Sequence, residues 1–222
     1  ASHDLRAPLT SILLKLDMLP RANPDRQQEI QAELRTVAQH LNSLIDDLFT
    51  LSRIEGEGQV VLVALDLNEI VRQACDDYRT IAQNANLNLA LSLTDADMSV
   101  VGNREQLFRL VGNLVGNAIH YTQQGAVTIR TAVQDSQAIL EVADTGIGIP
   151  EDRLDTIFER FFRTDEARDL RREGTGLGLA ICKAIVEQHH GMITVQSELG
   201  KGTMFRVVFP LDAEVEKPSP SD

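Results

Sequence analysis

A leucine-rich seam in the first fifty residues constrains this chain more than any other feature. Leu5, Leu9, Ile12, Leu16 and Leu19 step by four and three, and so do Ile30, Leu34, Val37, Leu41, Leu44, Leu48 and Leu51. Apolar residues at that heptad spacing form one stripe on each of two helices. Between the stripes, Pro20 supplies a stop, Asn23 an N-cap candidate, and Pro24 falls at the first helical position, where its missing N–H costs nothing. Residues 1–55 therefore read as an all-α helical hairpin. With Ile45 and Phe49 beside the seam, two helices cannot bury that surface alone. A homodimer closing a four-helix bundle is expected.

The seam also places His3. Counting Leu5 as a d position puts His3, Ala7 and Thr10 at b and f, which face water in such a bundle. Pro8 follows five residues after the histidine. Proline inside a helix removes the bond to the carbonyl of Asp4 and bends the helix there. The bundle gains nothing from that bend, whereas a domain approaching His3 gains access.

Beyond the hairpin the pattern changes. Glu55-Gly56-Glu57-Gly58 breaks the helix, and 56–59 reads as a linker to a second domain at 60–212. A strand is expected at 60–63. Asp66 with Glu69 makes a capping box for a helix reaching about Asn84. Leu87, Leu89, Leu91 and Leu93 alternate as a strand, and Asn103 with Gln106 starts the next helix. Strands follow at about 126–133 and 138–143, then a helix at about 176–189 and strands at about 192–197 and 203–209, the last two joined by Gly200-Lys201-Gly202. The charged stretch 163–173 has no apolar period and reads as a mobile lid. Residues 213–222, rich in Pro, Ser and acid, read as a disordered tail. No internal repeat is found.

Three stretches of the second domain carry chemistry. Asp144-Thr145-Gly146-Ile147-Gly148-Ile149-Pro150 follows an apolar strand. An acid at a strand end, then two glycines, lets the backbone pass close under a flat ligand while the carboxylate accepts from an exocyclic amine. Alone, D-x-G-x-G also describes an ordinary turn. In Asn113-Leu114-Val115-Gly116-Asn117 the two asparagines lie one helical turn apart, so two amide oxygens converge as a hard cation requires. Gly174-Thr175-Gly176-Leu177-Gly178-Leu179 precedes a helical run, and backbone N–H groups at a helix start form an anion site.

The order N-L-x-x-N-A, D-T-G-I-G-I, F-E-R-F, G-T-G-L-G-L resembles the Bergerat-type (GHKL) ATP-binding domain of sensor histidine kinases, and Ser2-His3-Asp4-Leu5-Arg6-Ala7-Pro8-Leu9-Thr10 resembles their phosphoacceptor box. Five ordered motifs cover nearly the whole chain. The resemblance implies an α/β two-layer sandwich, with a mixed sheet and helices on one face, following the hairpin. It implies ATP-dependent phosphorylation of His3 and transfer to an aspartate of a response regulator receiver domain. Asp4 would take the ring proton or hold the ring. Asp144 would meet the adenine amine, Tyr121 would stack on the ring, and Thr203 would support Asp144. Asn117 and Asn113 would hold Mg²⁺ against the phosphates of ATP. Gly174, Thr175, Gly176, Leu177 and Gly178 would wrap them, and Gly146 and Gly148 would shape the adenine turn. His120 stands where many relatives carry Lys or Arg, so its phosphate contact would be weaker and pH-dependent. Relatives that dephosphorylate their regulators commonly carry Thr or Asn where this chain has Ala7, which implies weak phosphatase activity. The same likeness implies the cytoplasmic portion of a parent protein anchored in the bacterial inner (plasma) membrane.

Composition narrows the alternatives. At 222 residues and 43% hydrophobic content the chain can bury a real core. It has no apolar run of about 18 residues, so no membrane contact by this segment is expected. It opens almost on His3 without a signal peptide and is expected to be a fragment. A formal charge of −12 disfavours nucleic acid as a partner. Cys75 and Cys182 lack metal-type spacing and read as reduced core thiols of a cytosolic domain. His189 and His190, at a helix end beside Gly191, are expected to interact with the helix dipole rather than bind metal. There is no P-loop, no H-R-D and no D-F-G. ATP-hydrolysing machines of the same fold place a glutamate one turn before the magnesium asparagine. Here that place is Asn113, which cannot serve as a base. An inactive dimeric scaffold is the remaining alternative.

Overall fold

The computed structural model describes the backbone of residues 2–56, 61–170 and 174–212, and side chains within those stretches other than 2–7, 168 and 169. Two helices open the chain, α1 (Ser2–Met18) and α2 (Pro24–Glu55), joined by a short 3₁₀ turn at Leu19–Arg21. Asn23 caps α2 as its sequence requires: its side chain accepts from the Arg26 N–H at 2.9 Å, with Pro24 at the first position. Pro8 lies inside α1. Lys15 on α1 pairs with Glu33 on α2 and pins the hairpin.

The second domain runs β1 (Val63–Asp66), α3 (Leu67–Asn84), β2 (Asn88–Ser92), β3 (Ser99–Gly102), α4 (Arg104–Tyr121), β4 (Ala126–Gln134), β5 (Gln137–Asp144), α5 (Asp165–Leu170), α6 (Gly178–Gln188), β6 (Met192–Glu198) and β7 (Gly202–Pro210). Its main sheet has the order β2-β4-β5-β7-β6. β2 pairs with β4 in parallel and the remaining pairs are antiparallel, so the sheet is mixed. Helices α3, α4 and α6 cover it. Their apolar faces, including Ile70, Leu107, Leu114, Ile181 and Ile185, form one core with Ile129, Leu140, Val207 and Phe209 of the sheet. A buried polar triangle fastens α3 to the sheet: Thr131 Oγ1 donates to Asn68 Oδ1, Asn68 Nδ2 to the Thr94 carbonyl, and the Thr94 N–H to Thr131 Oγ1.

The structure departs from several expectations. The first strand lies at Val63–Asp66 rather than 60–63, because it pairs with β3, a four-residue strand too short to show an alternating pattern. The capping box of α3 closes on one side only. Asp66 accepts from Asn68 N–H, but Glu69 turns away to Arg104. The stretch expected as an irregular lid contains α5. Thr164 accepts from Ala167 N–H, and Asp165 and Glu166 occupy the first turn, where acids complement the helix dipole. The end of that lid (171–173), most of the linker (57–59), Val60 of the first expected strand and the tail (213–222) lie outside the described residues.

Part of the seam also finds a different neighbour. Leu44, Leu51 and Ile54 join the core of the second domain, with α2 lying against α6. Leu9, Leu13, Leu14, Leu16, Met18, Ile45 and Phe49 stay exposed, Phe49 at 66%. Both cysteines are buried thiols, pushed up by desolvation to about 11 at Cys75 and about 12 at Cys182.

Candidate functional site

One end of the sheet opens into a cavity of about 390 Å³, which lies in the range of small-molecule sites. β5 delivers Asp144 to its floor. Asp144 Oδ1 accepts from the backbone N–H of Gly146 at 2.8 Å and of Thr203 at 3.2 Å. With both bonds on Oδ1, Oδ2 is the oxygen left to meet a ligand. Burial pushes this carboxyl above its ordinary value, and the two N–H groups partly oppose the shift. Glycine is required after it. A Cβ on Gly146 would stand 2.3 Å from the Tyr121 carbonyl oxygen, so only a bare backbone closes this turn.

Thr203 supports Asp144 through its N–H, not its hydroxyl. The hydroxyl lies 2.9 Å from Ser197 Oγ. Ser197 Oγ donates to the Gly202 carbonyl and accepts from Ile149 N–H, so its one proton is spent and Thr203 is the donor between them. Ser197 thereby fixes the loop carrying Ile149 against the β6–β7 turn. No motif pointed to it.

Helix α4 forms the second wall. Asn103 caps it by accepting from Gln106 N–H, and Asn113, Asn117, His120 and Tyr121 all line the cavity. Asn113 Nδ2 donates to the Gly178 carbonyl at 3.2 Å, which orients its amide and leaves Oδ1 as the acceptor. His120 Nδ1 lies 2.6 Å from the Gly116 carbonyl and so carries the proton. Donation from its other nitrogen to an anion then requires the charged ring. The donor set suits magnesium: two amide oxygens one turn apart fit a hard cation that keeps waters and takes its remaining ligands from phosphate. Among the described residues there is no cluster of His, Cys, Asp and Glu that competes for a metal.

The third wall is the glycine loop before α6. Gly174, Thr175, Gly176 and Gly178 line the cavity. Gly176 has φ +69°, and a Cβ there would stand 2.8 Å from the Phe161 backbone. Leu177 does not face the cavity. Its side chain is fully buried in the core, and its N–H donates to Thr175 Oγ1 at 3.2 Å. Gly148 lines the cavity, whereas Gly146 serves it only through Asp144. Arg163, which the motifs did not mark, staples the lid by donating to the carbonyls of Gly174 and Ala167.

His3 and Asp4 lie in the first turns of α1; their side chains, and that of Ala7, fall outside the described residues. His189 and His190 do not line the cavity. His189 is buried, donates from Nδ1 to the Ile185 carbonyl at 2.7 Å and accepts at Nε2 from the Asn103 N–H at 2.9 Å. The helix-end contact expected from sequence exists, but it is made by a neutral ring that joins the end of α6 to the cap of α4.

A helical hairpin carrying a histidine near its start is thus joined to an α/β sandwich whose cavity is walled by β5, α4 and the glycine loop. Comparison with known proteins gives the same division. Residues 1–57 match the His Kinase A (phospho-acceptor) domain, and residues 102–213 match the histidine kinase-, DNA gyrase B- and HSP90-like ATPase family. The sensor histidine kinase RppB of Synechocystis sp. is 40% identical over 95% of this chain, which spans 48% of that protein's length. Among solved structures, the histidine kinase AdeS of Acinetobacter baumannii matches with a TM-score of 0.77 at 26% identity, over 95% of this chain and 98% of that one. Full-length ShkA in complex with AMPPNP matches with a TM-score of 0.70 at 26% identity, over 94% of this chain and 44% of that one. The chain belongs to the sensor histidine kinase family and carries its two-domain catalytic core.

Proposed function

We propose that this chain phosphorylates itself on His3 from ATP and passes the phosphoryl group to an aspartate of a response regulator receiver domain. The observation that carries the reading is the convergence of Asp144, the Asn113–Asn117 pair and the Gly174–Gly178 loop on one cavity, in a chain whose first helix carries His3. ShkA, which shares this architecture, was solved with an ATP analogue bound. Adenine is held by Asp144, whose Oδ2 accepts from the exocyclic amine, with Tyr121 against the ring. Asn117 and Asn113 would hold Mg²⁺, which would supply positive charge against the phosphates. The loop glycines and His120 hold the phosphate chain.

In transfer, a neutral His3 nitrogen forms the bond to the γ-phosphorus as the bond to the ADP oxygen breaks. The ring proton on the other nitrogen then passes to Asp4 or is held there. An unperturbed imidazole, with pKa about 6.5, is mostly neutral near pH 7 and so available as a nucleophile. Asn113 offers no base for water, which favours transfer over hydrolysis. The exposed apolar stripe on α1 and α2, from Leu9 to Phe49, is the surface through which a homodimer closes its bundle.

Incubation with ATP labelled in the γ-phosphate tests the reading. The expected product is a labelled protein whose label is lost in acid and kept in alkali, as a phosphoramidate behaves; an unlabelled protein refutes it. Phosphatase activity toward the regulator is weak, because Ala7 has no group to orient water one turn from His3. Ala7→Thr is expected to speed loss of phosphate from a purified phosphorylated regulator in the presence of ADP. A fast wild-type reaction that Thr10→Ala stops would place that role on Thr10 instead.

A further inference from the structure

Helix α2 does more than bear the seam: one of its side chains grips the glycine loop. Asp47 Oδ2 accepts from Thr175 Oγ1 at 2.8 Å, and Asp47 Oδ1 accepts from Arg109 on α4 at 2.6 Å. Arg109 in turn donates to Thr50 Oγ1 at 2.6 Å. The Asp47 side chain is only 17% exposed, and it lines the same cavity as Asn117 and Gly176. Two bonds to one half-buried carboxylate are the charge-assisted kind that hold geometry.

That grip uses the groups an anion needs. While Thr175 donates to Asp47, its oxygen takes the Leu177 N–H, so a backbone donor at the start of α6 is turned onto its own loop. Phosphates entering the cavity compete for that N–H and for the Thr175 hydroxyl. They also bring negative charge against a wall that already carries a carboxylate.

We propose that Asp47 is a nucleotide-released latch: it holds the glycine loop to α2 in the nucleotide-free chain, and phosphate entry breaks the Asp47–Thr175 contact and frees the ATP-binding domain from that face of α2. The inference rests on reading the cavity as the nucleotide site. Linkage gives it a measurable sign. Free energy spent opening the latch is missing from nucleotide affinity, so removing the latch tightens binding.

The test is calorimetric titration of the whole chain with magnesium and AMPPNP, comparing wild type with Asp47→Asn and Arg109→Gln. Asp47→Asn keeps the side-chain shape and loses the charge. Arg109→Gln separates a latch from plain electrostatics: losing a cation near the cavity weakens binding through space, but losing a latch partner strengthens it. Both variants are expected to bind about fivefold tighter or more, the low end of typical coupling between sites. Unchanged affinity for Asp47→Asn, or weaker binding by Arg109→Gln, overturns the latch while leaving the nucleotide site in place. If none of the three proteins binds, the nucleotide reading fails and the latch with it.

Discussion

Asp144 sits in its pocket at the expense of the unliganded fold. Desolvation raises its pKa above the ordinary value despite the N–H groups of Gly146 and Thr203. An acid raised in the folded state binds its proton more tightly there than in the unfolded chain. Stability is therefore lost as pH rises from the unfolded value, about 3.9, through the folded one. Asp144→Asn keeps an acceptor for both N–H groups and presents an amide nitrogen where Oδ2 stood. The melting temperature of the nucleotide-free protein is expected to rise, while ATP affinity falls by about 1–3 kcal/mol through the donor now facing the adenine amine. Melting and calorimetric titration of the same samples measure both; ATP affinity equal to wild type would move the adenine pocket elsewhere.

At the scale of elements, His189 ties the last turn of α6 to the N-cap of α4, the two helices that bring the glycine loop and the asparagines to one cavity. Accepting at Nε2 requires the neutral ring, and burial lowers its pKa. The sign follows from proton uptake. Below about pH 6.5 the unfolded chain protonates this histidine and the folded chain does not, so stability present above that value is lost as pH falls toward the folded pKa. Urea unfolding of wild type should weaken from pH 7 to 5.5. His189→Gln should be less stable at pH 7 and fall less steeply over that range; equal slopes would remove His189 from the coupling. Little of this was legible in the sequence. Caps such as Asn23 and Asn103 could be read because their partners lie three residues away. The partner of His189 lies 86 residues away and leaves no local pattern.

For the molecule as a whole, the same division holds. The leucine seam and the five motifs are local patterns with fixed periods or fixed order, and from them the helical hairpin, the mixed-sheet sandwich and most of the motif residues that line the cavity could be read. Three things could not be read: β3, too short to alternate; α5, whose charged surface hid its Thr164 cap; and the docking of α2 on the second domain. That docking buries Leu44, Leu51 and Ile54 and joins Asp47 to Thr175 across 128 residues of sequence. It also makes the cavity a joint product of both domains, with His40 and Ser43 of α2 on its rim. The proposed phosphorylation requires that this cavity serve His3. The most direct measurement is label transfer from γ-phosphate-labelled ATP to wild type and to His3→Gln, with AMPPNP affinity measured on both. Acid-labile label is expected on wild type and none on His3→Gln, with nearly equal affinities because no described residue of α1, the helix that carries His3, lines the cavity. Label persisting on His3→Gln would contradict it.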